Sequence, residues 1–310
     1  MTQVRAGGEP SSHEASISGD LQDHPRNTEL HDLQQVELSI LREFVRVCEA
    51  HGLRYYVAYG TLLGAVRHGG FIPWDDDIDV TMPRGDYNRF AEICASDLRP
   101  GFKWQSYVTE THYPHWFGKV IKTDTIFRHA LTERLSFQQA VYIDVFPLDG
   151  LADRPWEALA QRALIRICRF RLGVDVKRGL VKRLVVQAAR VLPRQLAISV
   201  IEAMSRRFPS SESKQWICVG GPYSHRRQSF PSRWFGDGAR QSFQDLTVVG
   251  PTAWDEYLTQ LYGDYMTPPP RLQRMTDHQV TEVQLASVGA GGTSPGASNV
   301  DATEPLQYDE

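Results

Sequence analysis

Cysteine is scarce in this chain. Its 310 residues include four, Cys48, Cys94, Cys168 and Cys218, widely scattered among apolar neighbours and with no C-x-x-C pair. That spacing argues against a disulfide framework or a structural zinc site and suits reduced thiols in a cytosolic protein. Long hydrophobic runs are missing as well. No stretch approaches about 18 consecutive apolar residues, and the opening MTQVRAGGEPSSHEAS has no apolar segment, so neither a transmembrane helix nor a signal peptide is expected. Positive charge is not in excess either: 34 Lys and Arg against 37 Asp and Glu leave a net charge of −3, which predicts no general affinity for nucleic acid. There are no internal repeats. A composition of 41% hydrophobic and 23% charged residues is enough to bury one large core or two small ones.

What the chain does have is concentrated in residues 55–82, YYVAYGTLLGAVRHGGFIPWDDDIDVTM. Four carboxylates, Asp75, Asp76, Asp77 and Asp79, lead into Ile78, Val80 and Met82, as if an acid cluster were entering a strand. On an extended segment alternation puts Asp75, Asp77 and Asp79 on one face and Asp76, Ile78 and Val80 on the other. Carboxylates two residues apart on a strand are separated by about 6.6 Å and repel by roughly 2.5 kcal/mol at an effective dielectric of about 20, against about 0.6 kcal/mol in water. A solvated acidic turn is the bland reading. Phe71, Ile72, Pro73 and Trp74 on one flank argue against it, because carboxylates against apolar surface need a cation. Hard oxygen ligands in an Asp-x-Asp pattern suit Mg²⁺ or Mn²⁺. A calcium-binding EF-hand fails, since counting from Asp75 puts Val80 at the turn glycine and Asp86 at the bidentate glutamate.

Upstream, Tyr55 to Tyr59 is a short strand-like run followed by Gly60-Thr61 and a short helix whose N–H groups favour phosphate. An ordinary N-cap explains Gly60-Thr61 equally well on its own. A Gly-Thr anchor followed by an Asp-x-Asp strand is the pattern of a nucleotidyltransferase-type site. GTLLGAVRHGGFIPWDDDIDV resembles the defining segment of the LicD family, phosphotransferases related to fukutin and fukutin-related protein. Gly69 departs from the family, many of whose members carry Lys or Arg there. A second segment, YGDYMTPPP at 262–270, resembles the family's C-terminal signature, as does His278 its late histidine.

Elsewhere the pattern is plainer. Residues 1–27 and 281–310 are expected to be disordered tails around one domain of residues 28–280. Leu30, Leu33, Val36, Ile40, Phe44, Val47 and Cys48 give an amphipathic helix over Glu29 to Ala50, ended by Gly52. After a turn at Pro83–Asp86 a helix is expected over Tyr87 to Ser96, then strands at Phe102–Val108, Trp116–Lys122, Thr125–His129 and Gln139–Phe146. Asp144 sits inside the last of these and needs a partner, either an arginine in a structural ion pair or a cation shared with Asp77 and Asp79; the family's I-D-V-F-P segment supplies such a ligand. Asp149 reads as a turn former. Lys119 is a candidate for a donor phosphate or a solvent-facing lysine; Thr125 and Arg128 are weaker candidates. From Arg154 to Arg207 the chain carries 13 Arg or Lys against three acids, as basic amphipathic helices. These are either solvated faces or a dock for an anionic membrane or membrane-linked acceptor through residues 154–208. The segment 216–240 reads as loop, with Arg233 and Trp234 as possible sugar contacts.

The expected fold is α/β (α+β): a nucleotidyltransferase-like mixed sheet flanked by helices, with a basic helical insertion. The resemblance implies transfer of a phospho-alcohol such as phosphocholine or ribitol phosphate from a CDP-activated donor to a cell-surface glycan or lipid-linked glycan, in the cytoplasm or at the inner face of the membrane. In that scheme Asp77, Asp79 and Asp144 hold Mg²⁺ or Mn²⁺. Gly60, Thr61, Arg67, His68 and Lys119 meet phosphate, and Asp75 is a base or a further ligand. An Asp-x-Asp glycosyltransferase and a non-catalytic glycan-binding scaffold are the alternatives.

Overall fold

The computed structural model describes residues 25–110, 112–130, 132–172, 191, 193–270 and 280–285. Most of both expected tails, His278 and the middle of the basic segment lie outside the described residues.

Helix α1 (Pro25–Ala50) buries Leu33, Val36, Ile40, Phe44, Val47 and Cys48, the periodic positions, and the chain leaves it through Gly52 at a positive φ of 61°. Strand β1 (Tyr56–Val57) is short. Helix α2 (Tyr59–His68) follows and stops at Gly69, whose φ of 67° lets its N–H return to the helix carbonyls. Strand β2 (Asp79–Pro83) leads straight into helix α3 (Arg84–Asp97), so the expected turn at residues 83–86 is the first turn of that helix. Strands β3 (Phe102–Gln105), β4 (Gly118–Lys122), β5 (Ile126–His129) and β6 (Tyr142–Leu151) come next.

The basic segment contributes α4 (Pro155–Leu172) and α5 (Arg194–Arg207). Beyond it are β7 (Gln215–Cys218), β8 (Ser229–Pro231), β9 (Ala239–Phe243), β10 (Leu246–Gly250), α6 (Trp254–Tyr262) and β11 (Val280–Gln284). The segment 216–240 is mostly loop and turn, as expected, with the short strands β7 and β8 extending the main sheet; and described structure continues past residue 281, because β11 pairs antiparallel with β5.

The main sheet runs β1-β2-β6-β4-β3, with β7 and β8 joined through β6. Strand β6 is its axis. It is parallel to β2 and antiparallel to β4 along its first half and to β7 along its second. Helix α1 lies across β4 and β6, and α3 packs on β2, β3 and β6. A large core joins α1, α2, α3 and the sheet, while Ile165, Cys168, Ala197, Ile198 and Ile201 of the two basic helices form a smaller core with Leu151 and Ile217.

Candidate active site

The acid cluster does not enter the sheet where alternation expects it. Residues 75–78 form an extended loop and the ladder starts at Asp79, where the chain first meets β6: Asp144 N–H donates to Ile78 O at 2.8 Å. Within the loop Asp76 is buried and Asp75 and Asp77 are half-buried. The loop is pinned from two sides. Gln34 of α1 donates its Nε2 to Asp75 O at 2.8 Å. On the other side the Asp75 carboxylate lies on the bare Cα of Gly60, where an added Cβ would fall 2.7 Å from Oδ2. Glycine is required there for the aspartate to approach.

Three strands then present one residue each to a single row. Asp79 of β2 pairs with Asp144 of β6, and Lys119 of β4 pairs with Asp144 from the other side. Residues opposite one another in register share a face, and strands are about 4.8 Å apart, so a lysine and two aspartates span about 10 Å. Asp79 donates its N–H to Thr61 Oγ1 at 2.8 Å, fastening the start of β2 to the first turn of α2. Thr61 therefore has a structural task, and the residue in the N-cap position is Ala58, with no side-chain cap. Burial, together with the charges of Asp77, Asp144 and Asp75, pushes the Asp79 carboxyl well above the usual range.

Lys119 is buried, not solvent-facing. Its Nζ stands 2.8 Å from Asp144 Oδ1 and 3.1 Å from the centre of the Tyr142 ring, and burial lowers its pKa against the pull of Asp144 and Asp79. The partner expected to be an arginine is thus a lysine. The ammonium is the partner of Asp144 Oδ1 and lies over the Tyr142 ring at the same time.

Arg67 and His68 are at the far end of α2, about 10 Å along the axis from Gly60. Arg67 donates Nη1 to Tyr265 O at 2.8 Å and Nε to His68 Nε2 at 3.0 Å, so the structure does not set them at the helix start with Gly60 and Thr61. Asp149, expected in a turn, is a β6 residue held by Arg84 through two hydrogen bonds of 2.7 and 2.8 Å. Sequence reasoning passed over Glu37. It is 2% exposed and sits on the inward spacing of α1 between Leu33 and Ile40; an acid at a core position of an amphipathic helix was the available signal. Burial first, then Asp77, Asp76, Asp75 and Asp79, raise its pKa well above the usual carboxylate range.

Among the described residues no three acidic, His or Cys side chains meet as a formed metal site. The donor set, all oxygen and anionic, is of the kind a hard cation takes. A cavity of about 340 Å³ lies beyond the other end of β2, lined by Arg54, Arg84, Asp86, Arg89, Arg206 and Ser210, and contains none of these residues.

Residues 52–152, which span the loop, α2 and the whole row, match the family described as LicD/FKTN/FKRP, nucleotidyltransferase domain. This chain carries a LicD-family domain. It is 29% identical over 260 residues to the lipopolysaccharide cholinephosphotransferase LicD of Haemophilus influenzae, covering 80% of this chain and 96% of that protein. It is also 38% identical over 80 residues to the ribitol 5-phosphate transferase FKRP of Homo sapiens and of Mus musculus, covering 23% of this chain and 16% of those proteins. The family match ends at residue 152, just after β6, so the basic helices α4 and α5 lie outside the matched residues.

Proposed function

We propose that the protein is a phosphotransferase that moves a phospho-alcohol, phosphocholine or ribitol phosphate in type, from a CDP-activated donor to a glycan or lipid-linked glycan, with release of CMP. The observation that carries this reading is the Lys119–Asp144–Asp79 row within a LicD domain. Two relatives bear the names of phosphocholine and ribitol 5-phosphate transferases.

Asp77, Asp79 and Asp144 would hold Mg²⁺ or Mn²⁺, which when bound neutralises charge on the donor diphosphate. The chain's own groups do the rest. The uncapped start of α2, with the N–H groups of Gly60 and Thr61, binds diphosphate oxygens. Lys119 holds Asp144 in place and offsets one of the row's two negative charges. The acceptor hydroxyl oxygen forms a bond to the donor phosphorus while the phosphorus–oxygen bond to CMP breaks. Asp75, seated on Gly60, takes the hydroxyl proton.

A glycosyltransferase would release UDP or another nucleotide in place of CMP, and a scaffold would release none. The deciding experiment incubates the protein with Mg²⁺ and a panel of CDP-alcohols, with and without glycan extracts, and follows CMP. Acceptor-dependent CMP is the expected result, and its absence across the panel overturns the reading.

For the acceptor side, α4 offers support. Ile165 and Cys168 face the smaller core, while Trp156, Leu159, Leu164 and Ile167 on the opposite face are exposed beside Arg166. Aromatic and aliphatic residues next to arginine suit an anionic membrane surface. No helix among the described residues is long and apolar enough to cross a membrane. Association with the inner face would be peripheral, and flotation with anionic vesicles at low salt tests it; no binding ends this part of the proposal.

A further inference from the structure

Helix α1 precedes the LicD domain, yet one of its faces lies on the acid loop. Gln34 reaches Asp75 O at 2.8 Å, and Glu37, three residues later, shares that face of the helix. Glu37 is 2% exposed and its Oε2 is buried without a hydrogen bond. A glutamate that merely filled space in the core would be expected to find a donor, because an unsatisfied buried oxygen is costly and a buried acid more so. Here the charges next to it are acidic: Asp75, Asp76, Asp77 and Asp79 all act on it unfavourably. Among the described residues no arginine or lysine forms an ion pair with it. A buried oxygen without a hydrogen bond, on a helix face whose Gln34 reaches the acid loop, is an arrangement that a cation would complete.

Resting on the cation reading of the preceding section, we infer that Glu37 is a carboxylate of that cation site, supplied by α1 from outside the matched domain. The donors come from separate elements, the loop, β2, β6 and α1, and among the described residues they do not form a ready cage. The inference gives α1 a task beyond packing. The helix would be drawn onto the acid loop when the ion binds, through Glu37 as well as through the Gln34 hydrogen bond.

The test is Mn²⁺ binding followed by electron paramagnetic resonance, with thermal melts in chelator, on the full chain, E37Q, E37D and D79N. Loss of an orienting or ligating group at a metal site weakens affinity by about 10- to 100-fold. E37Q is expected to bind Mn²⁺ at least about tenfold more weakly than the native chain, yet to melt in chelator at the same or a higher temperature, since a neutral amide relieves the acidic neighbours. E37D, which keeps the charge but withdraws it by one methylene, is expected to lose less affinity, and it carries the test should E37Q not fold. E37Q or E37D binding Mn²⁺ within twofold of the native chain while D79N does not would overturn the inference and leave the cation reading intact. No Mn²⁺ binding by the native chain, or unchanged binding by D79N, would overturn both.

Discussion

Strand β6 carries two aspartates five residues apart, and their surroundings could hardly differ more. An odd separation sends them to opposite faces of the sheet. Asp149 is 3% exposed and gripped at both oxygens by Arg84, itself buried on the first turn of α3. Asp144 meets Asp79 on one side and Lys119 on the other, and that one ammonium, 2.8 Å from Oδ1, faces two carboxylates while also lying over the Tyr142 ring. The first is a closed account of charge. The second is open, with more negative groups around it than the single buried lysine balances. A buried pair that is fully satisfied holds the fold together; one left unsatisfied costs stability unless a ligand completes it.

The largest effect that would break this comparison is on turnover. Asp79→Asn, or Asp77→Asn, is expected to reduce CMP release by about a thousandfold, the scale of losing a principal electrostatic group. The Asp79 variant should also melt no lower than the native chain, because burial and the charges of Asp77, Asp144 and Asp75 already disfavour its ionised carboxyl. Substantial residual Mg²⁺-dependent transfer would make the Asp144 row an ordinary piece of sheet.

Next come the cations on the two faces. Arg84→Met strands Asp149 and should cost about 3–5 kcal/mol in urea unfolding, with activity per folded molecule retained and no rescue by Mg²⁺. Lys119→Met should cost less, about 1–3 kcal/mol, and added Mg²⁺ should recover part of it. Equal behaviour of the two variants toward Mg²⁺ would erase the distinction between closed and open pairs.

A smaller effect is geometric. Gly60→Ala places a methyl 2.7 Å from the present position of Asp75 Oδ2, so the carboxylate must move. Displacement of a positioned group by about 1 Å can cost up to about 100-fold, and the variant should show it in turnover with little change in melting temperature.

The smallest concerns His115, whose ring centre stands 5.0 Å from that of Phe117 just before β4. Burial, then Lys119, His129 and Arg194, lower its pKa well below the ordinary value. Below about pH 6.5 the unfolded chain therefore binds a proton that the folded imidazole resists, so this residue's contribution to stability falls as pH drops from 7 to 5. His115→Gln should flatten that part of the stability profile measured by urea unfolding. Glu43 works in the same direction at lower pH: burial would raise its pKa, but the hydrogen bonds from Arg46 and Arg99 outweigh burial and lower it, so its stabilisation is lost as pH falls through that lowered value.

Much of the site could be read from the chain alone. The apolar spacing of α1, the short helix after Tyr59, the acid stretch and an aspartate inside a hydrophobic strand all follow from local pattern, and GTLLGAVRH with FIPWDDDID pointed to the LicD family. What local pattern misjudged involves partners distant in sequence. Asp149 looked like a turn residue because Arg84, 65 residues away, is invisible to a window around it. The acid stretch looked like strand, but pairing begins only where β6 arrives, at Asp79. Glu37 was passed over because a single acid on an amphipathic helix is usually at the water boundary, whereas this helix buries that face against the loop.

By itself, then, the sequence determined how many carboxylates the site can draw on, their order along the loop, and the helices and strands that carry them, since these depend on side-chain period and covalent neighbours. Only the tertiary structure decided which of those carboxylates receives a counter-charge and which does not. Coulomb energy and desolvation depend on distance in space, and that distance was set by the register of β2, β4 and β6 and by the seating of α1.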